Sequence, residues 1–289
     1  MGNRKLDALM KRNLHAYFPL FVLPTLAAFV ISFLVPFGMG IYLSFCKFTT
    51  VANARWSGLE NYRRIFSDSN FTNALGFTVK FTVVSVITVN IFAFLLALAL
   101  TRGLRGTNAF RTIFFMPNLI GGIVLGYIWN LIINGVLGFF GTDITYKAEY
   151  GFWGLVILTN WQLIGYMMVI YIAGLQNIPR DITEAAEIDG ASKGQIIGRI
   201  TIPMVMPSVT ICTFLTLTNS FKLFDQNLAL TAGAPGRETA MLALDIYNTF
   251  YGRPGWQGAG QAKAVIFFII AAVIAFAQLK ITEGRETDR

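Results

Sequence analysis

The chain has 289 residues, of which 55% are hydrophobic and 13% are charged, and its mean hydropathy is +0.58. Soluble domains carry about a quarter charged residues, so this composition excludes a mainly soluble protein. The net charge of +8 comes from basic residues at the ends of apolar runs, a distribution typical of membrane topology signals and not of a nucleic-acid patch. One histidine and two cysteines give no basis for a metal site or a disulfide framework.

Six apolar runs along the chain are each long enough to cross a bilayer as a helix. They predict an all-α, polytopic membrane protein with six transmembrane helices in the lipid bilayer, forming a single domain over residues 1–289. The predicted spans cover residues 17–45, 77–100, 112–133, 151–175, 204–224 and 263–279.

The first span follows a basic amino-terminal segment, residues 1–16. At roughly 28 residues it is too long for the ~7–15-residue core of a signal peptide, so we expect an uncleaved helix. The polar segment after it predicts a short surface helix from Leu59 to Phe66. Further along, Pro117 lies early in the third span and predicts a break in that helix.

The distribution of lysine and arginine predicts the orientation of the spans. With the amino terminus inside, the cytoplasmic segments hold 13 of these residues and the outer segments hold 7. Cytoplasmic loops of membrane proteins carry an excess of basic residues. We therefore expect both termini and the loop at residues 176–203 to be cytoplasmic.

The loop between the fourth and fifth spans is polar and carries both charge signs. Two capping-box spacings, Asp181 with Glu184 and Ser192 with Gln195, predict two helix starts within it. Gly190 lies between them, where the end of a helix needs a left-handed residue. The loop therefore predicts a helix, a glycine turn and a second helix.

The same loop reads EAAEIDG, then nine residues, then ITIP, over residues 184–203. This pattern resembles the EAA loop of ABC-importer permeases, with Ile202 where leucine is usual. In that family the loop is a coupling helix that docks in a groove of a cytoplasmic ATPase. By this resemblance the coupling residues are Glu184, Ala185, Ala186, Asp189, Gly190, Ile200 and Pro203.

The phrases PLFVLP and GLENYRRIF resemble the sugar-importing branch of these permeases. The resemblance implies a type I ABC-importer permease in the cytoplasmic membrane of a prokaryote. It also implies three kinds of partner: a second homologous permease, two ATPase subunits and an extracytoplasmic sugar-binding protein. The chain lacks a glycine-rich GKS or GKT phosphate loop, so we expect no cofactor in this chain and ATP–Mg in the partner ATPase.

Polar side chains inside the spans are the candidates for a substrate pathway. Thr159, Gln162 and Tyr166 share one face of the fourth span, and Thr216 and Ser220 share one face of the fifth. Hydroxyl, amide and aromatic groups suit a sugar. By the resemblance to maltose-type permeases, the pathway residues are Asn118, Thr159, Gln162, Leu163, Tyr166, Thr216, Ser220 and Leu223. Asn219, one residue off the polar face of the fifth span, is a further candidate.

The sequence leaves other interpretations open. The polar residues could instead join the helices to one another, as such groups do in membrane bundles. An ion-gradient-driven secondary transporter is a second hypothesis, although no charged residue is placed at mid-membrane. An intramembrane enzyme is a third, with one histidine and no clustered ligands to support it. At the outer end of the fifth span, the spacing of Lys222 and Asp225 predicts a local ion pair.

Overall fold

The computed structural model describes residues 18–101 and 106–287 as helices joined by short links. Three parts of the sequence-based interpretation lie outside these residues. They are the amino-terminal segment up to residue 17, the loop arginines Arg102 and Arg105, and the last two residues of the carboxyl terminus.

Within the described residues the chain is helical as predicted, with short links and a hairpin of two short antiparallel strands, β1 (Cys46–Lys47) and β2 (Arg55–Trp56). The helices are α1 (Phe18–Ser44), α2 (Glu60–Phe66), α3 (Ser69–Thr101), α4 (Thr107–Phe115), α5 (Gly122–Gly138), α6 (Ala148–Gln176), α7 (Arg180–Ile188), α8 (Lys193–Met204), α9 (Met206–Phe221), α10 (Asp225–Leu230), α11 (Leu242–Gly252) and α12 (Gln257–Thr287).

Four of these helices, α1, α3, α6 and α12, are long and apolar enough to cross a membrane singly. Two bent pairs complete the predicted set of six: α4 with α5 at 103°, and α8 with α9 at 70°. The third predicted span is thus two helices and not one. Pro117 lies in a 3-10 turn, Met116–Leu119, at its break, and Pro207 lies in the first turn of α9. Proline at these positions removes a backbone donor and stops a helix from continuing.

The core of the bundle lies between α3 and α6. Ala93 and Ala97 on α3 lie against Met167 and Tyr171 on α6, and all four are buried. Small side chains let two helix backbones approach closely inside a bilayer. Of the apolar window of α6, 56% is buried within the chain, against none for α1, so α6 is the central helix of the fold.

A buried group of charges lies at the amino-terminal end of α3, away from the α7–α8 loop. Lys263 Nζ is fully buried and donates to Asp68 Oδ2 at 2.9 Å and to Asp245 Oδ2 at 2.6 Å. Arg253 adds a bond to Asp68 at 3.1 Å. Burial acts to raise the pKa of Asp68, but Lys263 and Arg253 hold it below its ordinary value. Because each buried charge has a partner, the group ties α3, α11 and α12 together.

The short helix predicted from Leu59 to Phe66 is present as α2, which begins one residue later at Glu60. The apolar side chains of this segment are only partly covered. Ile65 is fully buried with Tyr62 packed beside it, whereas Leu59 is 60% exposed and Phe66 is 64% exposed.

Candidate functional site

A cavity of about 600 Å³ opens beside the middle of α6. Four residues of this helix line it: Thr159, Gln162, Leu163 and Tyr166. They lie at positions i, i+3, i+4 and i+7, which fall on the same side of a helix. The structure therefore brings together the whole set that the sequence placed on the fourth span.

Segments far apart in the sequence form the other walls of the cavity. The remaining lining residues are Asn118 of the 3-10 turn, Leu215 and Asn219 of α9, Lys222, Leu223 and Phe224 of the following link, and Asp225 and Gln226 of α10. Asn118, Asn219 and Leu223 belong to the predicted pathway.

The structure does not place Thr216 and Ser220 in the cavity, and this corrects the prediction of their position. Both are fully buried on a different side of α9. Thr216 Oγ1 donates to the carbonyl of Cys212 at 2.8 Å and accepts a hydrogen bond from Asn90 Nδ2 at 3.4 Å. Thr216 thus joins α9 to α3, which is the alternative role that the sequence left open. The face of α9 toward the cavity carries Asn219 instead.

The ion pair predicted for Lys222 and Asp225 is wrong. Within residues 106–287 no ion pair joins them, and both line the cavity. Residues three positions apart face each other only when both lie on one continuous helix. Instead α9 ends at Phe221 and α10 begins at Asp225, so the chain changes direction between the two charges.

Sequence analysis did not place Leu215, Lys222, Phe224 or the residues of α10 in the cavity. Gln226 Nε2 donates to Gln162 Oε1 at 2.9 Å, which connects α10 to the central helix. Asp225 lies in the first turn of α10, where an acidic residue favours a helix start. An acidic residue at this point is a sequence signal for a helix start, but the fifth span was predicted to continue to Phe224, past the end of α9.

Two glycines set the separation of the cavity walls. A Cβ at Gly165 of α6 would overlap the carbonyl oxygen of Phe114, so α4 lies directly on α6. This contact places the Phe115 ring 6.3 Å from the ring of Tyr166. A Cβ at Gly126 of α5 would lie 2.7 Å from the Ala229 side chain, so α5 and α10 also meet at their backbones.

The cavity offers neutral hydrogen-bonding groups and aromatic rings. Thr159 Oγ1 is buried and has no hydrogen-bond partner among the described residues. An unsatisfied buried hydroxyl costs about 1–3 kcal/mol, so a ligand that pairs with it gains free energy. Lys222 and Asp225 carry opposite charges, which leaves the lining without net charge. The cavity can therefore hydrogen-bond a neutral molecule rich in hydroxyls.

The second candidate region is the loop formed by α7 and α8. Gly190 has a φ of +80° and links the two helices, as predicted. The amide of Ala191 donates to the carbonyl of Ala186 at 2.9 Å, and that of Gly190 donates to Glu187 at 3.1 Å. These bonds satisfy carbonyls at the end of α7, which is how a left-handed glycine ends a helix.

One of the two predicted capping boxes is present. Ser192 caps α8: its Oγ accepts from the Gln195 amide at 3.4 Å, and Gln195 Oε1 accepts from the Ser192 amide at 2.8 Å. The box of Asp181 and Glu184 is wrong, because the N-cap of α7 is Pro179 and no side chain caps it. Asp181 instead lies within the first turn, where its charge favours the helix dipole.

The predicted coupling residues lie mostly on the surface of this loop. Glu184, Ala185, Asp189 and Gly190 are exposed, while Ala186, Ile200 and Pro203 are half-buried. Ile188 is the most exposed large apolar residue of the loop, at 86%.

Residues 93–285 match the protein family described as the inner membrane component of binding-protein-dependent transport systems, and the chain belongs to this family. It is therefore a multi-pass membrane permease and not a member of an enzyme family. The match covers the cavity helices and the loop together. Family membership favours the importer hypothesis over the ion-gradient-driven transporter and the intramembrane enzyme.

Relatives match along nearly the whole chain. The chain is 44% identical over 278 residues to the probable starch degradation products transport system permease protein AmyD of Thermoanaerobacterium thermosulfurigenes, covering 93% of this chain and 94% of that protein. It is 32% identical over 283 residues to the lactose transport system permease protein LacF of Rhizobium radiobacter, covering 92% and 94%.

A solved structure shares the fold. The bacterial ABC transporter involved in the import of the acidic polysaccharide alginate matches with a TM-score of 0.79 at 20% identity, covering 95% of this chain and 98% of that chain. The fold is thus that of a type I ABC-importer permease.

Proposed function

We propose that this chain is a permease subunit of an ATP-driven ABC importer and that its cargo is a sugar or an oligosaccharide. The observation that carries the proposal is the cavity beside α6, whose lining is neutral overall and rich in amide, hydroxyl and aromatic groups. Sugars present hydroxyls to the first two groups and apolar ring faces to the third. Relatives whose names refer to starch products and lactose support the same substrate class.

The proposed pathway consists of the cavity lining. Thr159, Gln162 and Tyr166 on α6 form one side, and Asn118 with Asn219 form the other. Leu163 and Leu223 supply apolar surface. We do not include Thr216 and Ser220 in the contact surface, because they are buried between helices.

The proposal includes partners that the chain needs in order to work. A second homologous permease pairs with this chain, which forms a single domain over residues 1–289. Together the two subunits complete the membrane pathway. Two ATPase subunits bind ATP–Mg and dock on the coupling residues around Glu184 and Gly190, and an extracytoplasmic binding protein delivers the sugar. Closure of the ATPases moves the α7–α8 loop and turns the cavity outward, as in other alternating-access transporters.

Reconstitution in proteoliposomes tests this function. We expect sugar uptake when the chain is combined with its partner permease, the ATPases, the binding protein and ATP. The control omits the ATPases, and a second control replaces ATP by an ion gradient. Uptake that follows the ion gradient without the ATPases would contradict the proposal and support a secondary transporter.

The proposal places the chain in the cytoplasmic membrane of a prokaryote with both termini and the α7–α8 loop inside. A single cysteine at Ser192 tests the orientation, in a background where Cys46 and Cys212 are replaced. Ser192 is exposed, so a membrane-impermeant thiol reagent should label it in opened cells and not in sealed cells. Labelling in sealed cells would invert the topology.

A further inference from the structure

A second cavity, of about 710 Å³, lies between the α7–α8 loop and the nearby ends of α3, α4 and α6. Its lining carries three cations, Arg111, Arg180 and Lys193, and one carboxylate, Glu187. The rest of the lining consists of six leucine and isoleucine side chains and five neutral polar ones, four threonines and a glutamine. The cavity thus combines an excess of positive charge with apolar surface.

The cations of this cavity have no ion-pair partner in the part of the chain that the structure describes. Among residues 18–101 and 106–287 no ion pair involves Arg111, Arg180 or Lys193. Arg111 Nε is buried and has no hydrogen-bond partner in the same part of the chain. A buried charged donor without an acceptor is costly, so the site favours an anion with several acceptor oxygens.

The helix that carries Arg111 has a basic side and an apolar side. α4 turns away from the following helix α5 by 103°, and its other side exposes Phe110 by 45% and Ile113 by 57%. An amphipathic helix at the edge of a bilayer directs its apolar side toward the acyl chains and its basic side toward the headgroups. Arg111 lines the cavity beside Leu175 and Gln176, the last residues of the long apolar helix α6.

We propose that this cavity binds an anionic phospholipid. The phosphate would lie on Arg111, Arg180 and Lys193, and the acyl chains would leave along the apolar face of α4. Basic pockets between membrane helices at the cytoplasmic surface bind anionic headgroups in this way. A free phosphate compound shares the headgroup chemistry but would leave the leucine and isoleucine side chains of the lining without an apolar contact, which is why we assign the lipid.

The bound lipid would fill the space behind α7 and α8 and so fix the loop relative to the spans. This consequence rests on the proposed function, because it assumes that the loop transmits ATPase motion. The binding itself does not depend on that assumption. Lipid retention and transport therefore need separate measurements.

The test uses the complete transporter in nanodiscs of phosphatidylcholine with phosphatidylglycerol as a minor component, followed by native mass spectrometry of the lipids retained in detergent. We expect the wild-type complex to retain phosphatidylglycerol in preference to phosphatidylcholine. Arg111→Gln should weaken retention about fivefold, since one basic residue near an anionic headgroup contributes ~1 kcal/mol. Arg111→Lys, which keeps the charge, should restore most of it.

Arg199→Gln is the matched control, because Arg199 belongs to the same loop but does not line this cavity. Equal retention by wild type and Arg111→Gln, or an equal loss in Arg199→Gln, would overturn the proposal. Displacement of the lipid by inorganic phosphate would assign the site to a free phosphate compound instead. Sugar uptake in proteoliposomes that contain phosphatidylglycerol tests the proposed function separately: if it is absent while lipid retention is selective, the importer assignment fails and the lipid site stands.

Discussion

The α7–α8 loop and the cavity beside α6 differ in how the chain builds them. The loop is contiguous: one glycine turn and one capping box, all within residues 180–204, determine its shape. The cavity draws its walls from the 3-10 turn, α6, α9 and α10, and its dimensions depend on backbone contacts at Gly165 and Gly126. A change of one residue should therefore disturb the loop only near that residue. In the cavity it should act through the packing of one helix against another.

The largest effect is expected for Gly165→Val in the cavity wall. The added side chain overlaps the backbone of Phe114, so α4 and α6 must separate. Overpacking costs about 1–3 kcal/mol and sometimes more, and backbone cannot yield as a side chain does. We expect strongly reduced amounts of assembled transporter, measured by size-exclusion chromatography. Gly135→Val, where a Cβ would meet nothing within 4 Å, should assemble normally.

Gly190→Val should give the next largest effect, and it should be confined to coupling. A side chain at φ +80° costs roughly 1–2 kcal/mol and misdirects α7, while nothing lies within 4 Å to be displaced. We expect a subunit that inserts and binds the partner permease but loses ATPase co-purification and ATP-dependent uptake. Gly194→Val in α8 is the control. Wild-type uptake by Gly190→Val would show that the shape of this loop is not needed for coupling to the ATPase.

Glu184→Lys tests whether the charge on the same loop contributes to ATPase docking. Glu184 makes no capping bond in α7 and is exposed, so reversing its charge leaves the helix intact. We expect normal membrane insertion with reduced retention of the ATPase on the affinity-purified complex. Glu184→Ala separates charge loss from charge reversal and should show a smaller reduction. Unchanged ATPase retention in both variants would remove Glu184 from the docking surface.

A smaller effect is expected for Tyr166→Ala in the cavity. One lost hydrogen bond to substrate corresponds to about 0.5–1.5 kcal/mol, or roughly a two- to twelvefold loss of uptake efficiency. Tyr166→Phe separates the hydroxyl from the ring. Ser220→Ala serves as the structural contrast, because its hydroxyl is buried outside the cavity and should change uptake little. A larger loss in Ser220→Ala than in Tyr166→Ala would reverse our assignment of the α9 faces.

The smallest effect is expected from pH acting on the charge group that fixes α3 to α12. Because the pKa of Asp68 is lowered in the folded protein, its contribution is fully present above the unfolded value of about 3.9 and is lost as pH falls through the lower folded value. The thermal unfolding midpoint should therefore drop below about pH 4. Asp68→Asn should show a shallower drop, and an identical pH profile would rule out this contribution.

Local signals predicted the loop well because its bonds join residues a few positions apart. The Ser192 box and the turn at Gly190 follow from short-range geometry. The false box at Asp181 shows the limit of such signals. Pro179 starts the helix earlier, and a start two residues earlier removes the side chain from the capping position.

The sequence by itself determined the number of apolar segments, the loop with its glycine turn, and the polar face of α6, because hydropathy and helical periodicity are properties of neighbouring residues. Only the tertiary structure decided which polar residues meet. The ends and bends of α4, α9 and α10 turn Asn118, Asn219 and Gln226 toward α6 and leave Thr216 between helices. The same holds for Lys263, whose acidic partners Asp68 and Asp245 lie on separate segments. These choices depend on where helices break and how closely their backbones approach, which no periodicity along a single segment encodes.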